Sequence, residues 1–367
     1  MNQLVGIDLF AGAGGLSLGF EQAGFNIAYA IERDKWAAET YKLNRDGVVV
    51  DTRDIAQISP LLVLKQLGIK RGELDIVIGG PPCQGFSASN KKTRNLQNPN
   101  NHMVYKFVDF VSQTKPKWVV MENVSGMNTF EEGRVRDSLL KLFEEWGYTV
   151  DYLILNAADF GVPQSRKRIF FVGNRLGNKM TFMNKLRESK METPVTVFDA
   201  ISDLPHLRNG HSIDLMHYNP RKRKLSRYQV AMRRRMNGEV RNNLATRHTD
   251  LALKRFSCIE QGENLISLAQ KLPELVNNYS NIDNCHHWIY LRLPWNKPAV
   301  TLINYRKNML IHPADDRGLS VREAARLQSF PDEYVFYGYL GSQQQQVSNA
   351  VPPLLAESIA KKILNNL

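Results

Sequence analysis

A cysteine in a loop rich in proline and glycine is the residue of this sequence best suited to covalent chemistry. Cys83 lies in Gly79–Ser87, GGPPCQGFS, directly after the apolar run LDIVIG. Two prolines stiffen the approach to the cysteine, and Gly85 permits an unusual backbone turn after it. A thiol on a rigid loop at the end of a strand is typical of a nucleophile, which attacks as the thiolate. The other interpretation, a small buried hydrophobic residue, is disfavoured by the flanking motif.

A carboxyl group follows a second apolar run. Glu122 belongs to MENV, Met121–Val124, which comes directly after WVV. A carboxyl group in a partly desolvated pocket has a raised pKa and can donate a proton. An acidic residue near a helix N-terminus is the alternative interpretation. Asn123 could satisfy backbone groups of a neighbouring loop.

Two arginines alternate in QSRKR, Gln164–Arg168, ahead of the apolar run IFFVG. If this segment is a strand, Gln164, Arg166 and Arg168 fall on one face. Two guanidinium groups on one face suit a phosphate or the edge of a base. A solvated strand edge is the alternative.

A glycine-rich turn follows the first apolar run of the chain. In DLFAGAGG, Asp8–Gly15, glycines would let the backbone approach a ligand closely at the start of a helix. Glu32 comes twenty residues after Gly12, at the spacing of an acid that binds ribose hydroxyls. Ser17 occupies the third glycine position of the dinucleotide fingerprint, which favours an adenosine-type cofactor without a pyrophosphate over NAD. A purely structural glycine turn is the alternative.

These motifs follow strands that alternate with helices, a pattern that predicts an α/β protein with a doubly wound, mostly parallel sheet. The predicted strands are Leu4–Phe10, Asn26–Ile31, Leu74–Gly79, Trp118–Met121 and Arg168–Gly173. The predicted helices are Leu16–Gly24, Trp36–Asn44, Val104–Gln113, Arg136–Trp146, Val321–Gln328 and Leu354–Leu367. Because ligands bind outside the carboxyl ends of such strands, Gly12, Pro81 and Asn123 should converge on one crevice.

Charge and composition indicate an anionic partner. The 367 residues carry a formal net charge of +12, and a chain of this length suggests about two domains. The βα alternation fades after about residue 175. The segment 221–255 holds twelve basic residues against Glu239 and Asp250, which predicts a surface that contacts phosphates. The alternative is a uniformly solvated cationic surface.

Other features exclude several classes of protein. Cys83, Cys258 and Cys285 are too few and too far apart for a disulfide framework, and no C-x-x-C pair indicates structural zinc. We therefore expect no metal. The N-terminus lacks the pattern of a signal peptide, and no run of about 18 apolar residues could span a bilayer. We expect a cytoplasmic protein that does not bind membranes.

In the order of these motifs the sequence resembles the C5-type cytosine-specific DNA methyltransferases, most closely those of bacterial restriction–modification systems. The motifs are, in chain order, DLFAGAGG with Glu32, Asp54-Ile55, GGPPCQGFS, MENV, QSRKR, Arg317–Tyr334 and Gln346–Pro353. The resemblance implies a Rossmann-like fold that uses S-adenosylmethionine, with S-adenosylhomocysteine as product. It assigns cofactor binding to Phe10, Gly12, Gly14, Gly15, Leu16, Glu32, Asp54, Ile55, Pro82 and Asn349. Ser348 stands where the family usually has glycine.

The resemblance also implies the reaction. Cys83 would attack C6 of a cytosine flipped out of double-stranded DNA, Glu122 would protonate N3, and Arg166 and Arg168 would hold the O2 side. It implies a catalytic and cofactor-binding domain at 1–178 and 340–367, and a target-recognition domain at 179–339. We expect a monomer whose methylation of a specific sequence protects host DNA from a cognate restriction endonuclease.

Three alternative functions are each disfavoured by a feature of the sequence. The same chemistry on RNA is disfavoured by the long basic insert after QSRKR. A nucleotide-dependent oxidoreductase is disfavoured by Ser17 and the Cys83 loop. A catalytically silent DNA-binding module is disfavoured because all the chemical residues are present.

Overall fold

The computed structural model describes residues 4–82, 102–177, 180–218, 224–279, 282 and 285–366. The chain forms two compact units. The first unit comprises residues 1–160, 166–190 and 351–367, and the second comprises residues 161–165 and 191–350. The sequence suggested boundaries at 178 and 340. In the structure the corresponding boundaries lie later, at residues 190 and 350. Phe182–Glu188 packs on the sheet of the first unit, and Leu340–Asn349 packs within the second unit.

A seven-stranded sheet forms the centre of the first unit. Its strands in chain order are β1 (Val5–Leu9), β2 (Asn26–Ile31), β3 (Val49–Asp51), β4 (Ile76–Gly79), β5 (Trp118–Val124), β6 (Thr149–Asn156) and β7 (Lys167–Asn174). Their spatial order is β3-β2-β1-β4-β5-β7-β6, and β7 is antiparallel to both β5 and β6. The predicted doubly wound, mostly parallel sheet is confirmed.

Helices cover the sheet and build most of the second unit. In chain order they are α1 (Gly15–Ala23), α2 (Lys35–Leu43), α3 (Pro60–Gln66), α4 (His102–Thr114), α5 (Arg134–Glu145), α6 (Phe182–Glu188), α7 (Val197–Ile201), α8 (Arg227–Met232), α9 (Asp250–Ser257), α10 (Leu265–Lys271), α11 (Tyr305–Asn308), α12 (Val321–Leu327), α13 (Leu340–Asn349) and α14 (Pro353–Leu364). None of the described helices is long and apolar enough to cross a membrane.

The predicted elements of the first unit are present within a few residues of their expected bounds, and two further strands, β3 and β6, and two further α-helices, α3 and α6, had not been predicted. β3 has only three residues, too few for a periodic pattern. α3 begins at Pro60, which suits the first turn of a helix because it needs no N–H partner there. β6 lies at the sheet edge and exposes several of its side chains, so it lacks the continuous apolar run of a buried strand.

Apolar side chains on one face of the sheet form the main core of the first unit. Leu9 on β1 and Val77 on β4 pack with Phe107 of α4 and Phe143 of α5, and all four are buried. Neighbours β1 and β4 lie where the strand order reverses direction, the place where doubly wound sheets bind ligands. The glycine turn follows β1, and Gly80 follows β4.

One expectation about the strand ends was wrong. Glu122 and Asn123 lie within β5 rather than after it. The reason is the antiparallel partner: β7 continues pairing past Met121, with Glu122 opposite Phe170 and Val124 opposite Arg168.

The second unit combines short helices with a two-stranded ladder, β8 (Met216–His217) and β9 (Glu239–Val240). One of its apolar clusters includes Phe256 of α9 and Leu268 of α10. A buried ionic network lies in the same unit. Arg326 of α12 donates to Asp332 at 2.5 and 2.6 Å and lies 3.3 Å from Asp203.

Replacing Arg326 by methionine tests this network. The variant would leave Asp332 and Asp203 buried without their main counter-charge, and breaking a buried ion pair costs about 3–5 kcal/mol. We expect a clear fall in the midpoint of urea unfolding, followed by circular dichroism. Lys361→Met is the matched control, because the Lys361 side chain is exposed, pairs with Glu357 on one helix, and should change the midpoint little when replaced. Equal midpoints for the two variants would contradict the structural role of Arg326.

Candidate active site

The glycine turn after β1 is held in an unusual backbone conformation. Phe10, Gly12 and Gly14 all have left-handed φ angles, of 60°, 55° and 79°. For a bulky residue such as Phe10 this conformation is strained, and such strain is concentrated at functional sites. The turn is closed by hydrogen bonds from the Gly14 N–H to the Ala11 carbonyl at 2.9 Å and from the Ala11 N–H to the Ile31 carbonyl at 3.0 Å.

Gly12 and Gly14 differ in how much free space lies beside their backbone. A Cβ atom on Gly12 would meet no atom within 4 Å, so the backbone there faces open space. A Cβ atom on Gly14 would instead approach Arg45 within 2.6 Å and Tyr41 within 2.8 Å. α1 begins at Gly15, and no side chain caps its first turn. Its first N–H groups are therefore available to a polar ligand.

Glu32 lies directly against this turn. Its Oε2 accepts a hydrogen bond from the Gly12 N–H at 2.8 Å, and its Oε1 accepts one from the Asp34 N–H at 2.6 Å. Burial raises the pKa of Glu32, and these two N–H groups oppose the rise. Glu32 and Gly12, predicted to share a site from their spacing, are brought into contact.

Asp54 and Ile55 lie at the end of the next strand, β3. Asp54 Oδ1 accepts from the Ala56 N–H at 3.0 Å, and Asp54 Oδ2 pairs with Arg33 at 2.9 Å. The Ala56 N–H lowers the pKa of Asp54, with a further contribution from Arg33. Ile55 is buried. Arg33 was not among the predicted site residues.

Glu122 and Arg168 form an ion pair across β5 and β7. Glu122 lies opposite Phe170, two residues from Arg168 and so on the same face. The Arg168 Nε is 2.9 Å from Glu122 Oε1, and the two side chains are only 11% and 12% exposed. Burial raises the pKa of Glu122, while the charges of Arg168 and Arg166 oppose the rise. The result is a carboxyl group that holds its proton more tightly than a solvated one.

The same carboxyl group lies beside the start of the Cys83 loop. A Cβ atom on Gly80 would be 3.1 Å from Glu122 Oε2. Asn123 Nδ2 donates to the Pro81 carbonyl at 3.3 Å, as expected of a residue that satisfies loop backbone. Pro82 is exposed and is the last described residue before the loop. Cys83 itself lies outside the described residues.

The prediction that Gln164, Arg166 and Arg168 share one strand face was wrong. β7 begins at Lys167, so only Arg168 belongs to it. Arg166 is buried, and its N–H donates to Asn156 Oδ1 at 2.9 Å. Gln164 belongs to the second unit, where it donates to Gln328 Oε1 at 3.0 Å and accepts from the Leu302 N–H at 3.0 Å.

Asn349 is the last residue of α13, in the second unit. Its Oδ1 accepts from Gln345 Nε2 at 2.7 Å. Ser348 is helical, and its hydroxyl donates to the Gln344 carbonyl at 2.9 Å. Serine in place of the family's glycine therefore adopts an ordinary helical conformation here.

Only some of the basic side chains in the segment 221–255 are exposed to solvent. Lys224, Arg227, Arg234, Arg235, Arg241, Arg247 and Lys254 are exposed. Arg255, in contrast, is buried and donates to the Leu275 carbonyl at 2.7 Å and to Tyr290 Oη at 3.1 Å. Arg233 stacks on the Tyr218 ring and pairs with Asp203 at 3.5 Å. The expectation that the whole segment contacts phosphates is therefore wrong for Arg255, and residues 221–223 lie outside the described ranges.

The comparison with known families decides the identity. Residues 4–365 match the family model described as C-5 cytosine-specific DNA methylase. The chain belongs to this family. The methylase is therefore an enzyme that acts on C5 of cytosine in DNA, and the family and fold support S-adenosylmethionine as methyl donor.

Curated relatives align with nearly the whole methylase. The type II methyltransferase M.DdeI of Desulfomicrobium norvegicum is 38% identical, over 97% of this chain and 88% of that protein. M1.HphI of Haemophilus parahaemolyticus is 36% identical, over 98% and 86%. A crystal structure of a putative DNA modification methyltransferase encoded within an E. coli prophage covers 99% of both chains, with a TM-score of 0.78 and 27% identity.

Sequence reasoning missed the polar residues behind the glycine turn of the methylase. Asp8, Ser17 and Tyr41 are buried there, and Arg45 lies against Gly14. Ser17 was the available clue, because a serine replaces a glycine of the fingerprint and needs a hydrogen-bond partner once buried. In the described part of the chain, no group of three or more His, Cys, Asp or Glu side chains could hold a metal ion.

The ion pair at Glu122 yields a test. Replacing Arg168 by glutamine removes the largest opposing charge, so we expect the pKa of Glu122 to rise further. Since the folded pKa would then exceed that of the unfolded chain by more, the fall in stability with increasing pH should continue to a higher pH and be larger in total. The carboxyl infrared band, assigned with Glu122→Gln, measures the titration. Arg136→Gln is the control, because Arg136 pairs with Asp137 elsewhere. An unchanged or lower pKa in Arg168→Gln would contradict the assigned balance.

Proposed function

We propose that the methylase adds a methyl group to C5 of a flipped-out cytosine in a specific double-stranded DNA sequence through a covalent bond with Cys83. We further propose that this protects host DNA from a cognate restriction endonuclease. The observation that carries the proposal is the position of Glu122, an acid that is only 12% exposed and has a raised pKa, beside Gly80, where an added Cβ atom would lie 3.1 Å from Glu122 Oε2. Gly80 is three residues before Cys83. Relatives named type II methyltransferases support the restriction–modification role.

The glycine turn and its neighbours fit S-adenosylmethionine. The open side of Gly12 leaves room for a ligand to approach the backbone, and Glu32 keeps acceptor capacity for ribose hydroxyls. The Asp54 carboxylate and the Ile55 backbone suit the adenine. The full set proposed to hold the cofactor is Phe10, Gly12, Gly14, Gly15, Leu16, Glu32, Asp54, Ile55, Pro82 and Asn349. When bound, the cofactor supplies an electrophilic methyl group for a carbon nucleophile and remains as S-adenosylhomocysteine.

The residues of the chain make cytosine C5 nucleophilic. The Cys83 thiolate forms a bond to C6, and the electron pair of the C5–C6 double bond moves through the ring as N3 takes a proton from Glu122. Burial raises the pKa of Glu122, which favours the protonated form that can donate to N3. After transfer Glu122 is a carboxylate, which the neighbouring Arg168 stabilises.

The later steps restore the aromatic ring and return Cys83 and Glu122 to their starting states. A base removes the proton from C5, the C5–C6 double bond re-forms, and the bond between Cys83 and C6 breaks. N3 returns its proton to Glu122. Arg166 and Arg168 are proposed to hold the cytosine O2 side, where their charges offset the electron density that the ring gains.

A cysteine variant and a mechanism-based inhibitor test the covalent step together. Cys83→Ser should abolish methyl transfer, because serine is not ionised at neutral pH, while DNA binding persists in a gel-shift assay. A duplex with 5-fluorocytosine at the target should form a covalent adduct with the wild type only when S-adenosylmethionine is present. The adduct is resolved by denaturing electrophoresis.

Two results would contradict the role of Cys83: normal turnover of Cys83→Ser, or an adduct that persists in it. Cys258→Ser is the matched control, since Cys258 lies in the second unit and should leave adduct formation intact. A parallel methylation assay on RNA distinguishes the alternative substrate. Bisulfite sequencing of plasmid DNA from expressing cells then gives the modified position and its context.

We assign target recognition to the second unit, and catalysis and most of cofactor binding to the first, with Asn349 of the second unit as an additional proposed cofactor residue. The exposed residues of the basic segment support this, because guanidinium and ammonium groups that face solvent can pair with DNA phosphates. The methylase is proposed to act as a cytoplasmic monomer.

Salt dependence measures how many of these charges contact phosphates. If about 6–10 phosphates are neutralised, affinity should fall about 10³–10⁵-fold between about 50 and 200 mM salt. Arg234→Ala and Lys254→Ala, both exposed in the basic segment, should each reduce the slope of log affinity against log salt by about 0.9. Lys65→Ala, exposed on α3 of the first unit, is the control. A flat salt response would remove the segment from the DNA interface.

A further inference from the structure

The glycine turn is contacted from behind by one arginine. The Arg45 Nη2 donates to the Gly14 carbonyl at 2.7 Å. Another nitrogen of the same guanidinium, Nη1, fills the space where a Gly14 side chain would be. Arg45 therefore limits where the backbone of Gly14 can lie. Its side chain is only 4% exposed, so water cannot replace this contact without rearrangement.

Two other groups hold the guanidinium in place. Arg45 Nε lies 2.9 Å from both carboxylate oxygens of Glu21 on α1. The guanidinium also stacks on the Tyr41 ring, 4.2 Å from its centre. Because an ion pair fixes one edge of the group and an aromatic ring fixes its plane, the Nη2–H group has a defined direction.

A chain of hydrogen bonds fixes Tyr41 in turn. The Tyr41 hydroxyl donates to Ser17 Oγ at 2.7 Å, and the Ser17 hydroxyl donates to Asp8 Oδ2 at 2.5 Å. All three residues are fully or almost fully buried. None of the described residues donates to Asp8 Oδ1, so Ser17 is the main described partner of this carboxyl group. We call Asp8, Ser17, Glu21, Tyr41 and Arg45 the turn-support network.

The glycine turn is connected to both ends of α2, by Glu32 at its start and by Arg45 of the turn-support network at its end. Glu32 and Asp34 precede this helix, and Glu32 accepts from the Gly12 N–H. Arg45 follows the end of the helix and donates to the Gly14 carbonyl. A helix of nine residues is about 13 Å long. Glu32 and Arg45 flank a rigid element, and the turn is held at Gly12 by the first and at Gly14 by the second.

We propose that Arg45 is a positioning residue for the cofactor, which fixes the glycine turn through the Gly14 carbonyl. The proposal rests on the assignment of that turn to S-adenosylmethionine. If Arg45 is lost, the turn can relax away from the shape that receives the ligand. Cofactor affinity then falls, whereas the chemistry at Cys83 and Glu122 is not altered once the cofactor is bound.

The test removes the pair without leaving a lone charge. In Arg45→Met/Glu21→Gln, both charges disappear together. We expect the dissociation constant for S-adenosylhomocysteine, measured by calorimetry on the full-length protein without DNA, to rise about tenfold. KM for S-adenosylmethionine should rise equally, with kcat at saturation within about twofold of wild type. If Arg45 only stabilised the fold, the variant would have a lower kcat and a lower melting temperature, and KM would not rise selectively.

The matched control lies on the same helix. Glu39 and Lys42 form an exposed pair on α2, and Glu39→Gln/Lys42→Met removes a charge pair in the same way. It should leave the affinity for S-adenosylhomocysteine unchanged. If Arg45→Met/Glu21→Gln does not fold, Arg45→Lys provides the measurement. It retains the positive charge beside Glu21 but lacks the planar group that stacks on Tyr41, and it should also weaken binding.

Glu32→Ala separates the two hypotheses. If it binds S-adenosylhomocysteine as wild type does, the assignment of the cofactor site is wrong. If Glu32→Ala loses affinity while a folded Arg45 variant stays within about twofold of wild type, the cofactor site stands and the role of Arg45 is refuted.

Discussion

The burial of the Glu122 carboxyl group beside a single strand-borne guanidinium is the interaction on which the proposed chemistry depends. Burial raises the pKa of this carboxyl group, and the positive charge of the neighbouring Arg168 opposes the rise. Arg168 can oppose the burial because β7 runs antiparallel to β5, which puts it diagonally across from Glu122. The one strand that departs from the parallel pattern therefore supplies the charge that tunes the acid.

The same sheet explains why the other parts of the site meet. β1 and β4 are neighbours, so the glycine turn and the Gly80 segment both emerge at the point where the strand order reverses. A helix flanked by Glu32 and Arg45 fixes the glycine turn, and a neighbouring strand fixes the Gly80 segment. α2 connects to the turn through Glu32 at one end and Arg45 at the other, and β5 contacts Gly80 and Pro81 through adjacent residues. Short backbone segments are thus held by rigid elements.

Sequence reasoning succeeded where local pattern and chemistry coincide. The run Asn26–Ile31 forms β2 with the expected bounds, and the spacing of Gly12 and Glu32 predicts a contact that exists. It failed where partners distant in the chain decide. Whether Gln164 continues a strand depends on Leu302 and Gln328, more than a hundred residues away. No period or spacing within QSRKR contains that information.

The sequence also could not predict which basic side chains are exposed. Lys254 and Arg255 are adjacent and both cationic, yet the first is exposed and the second is buried against the Leu275 carbonyl and Tyr290. In the same unit Arg317 and Arg326 are buried beside Glu323 and Asp332. A buried arginine of this kind stabilises the fold and cannot reach a phosphate. The number of DNA contacts is therefore set by the exposed basic residues and not by the net charge, and the salt slope of binding should follow the exposed residues alone.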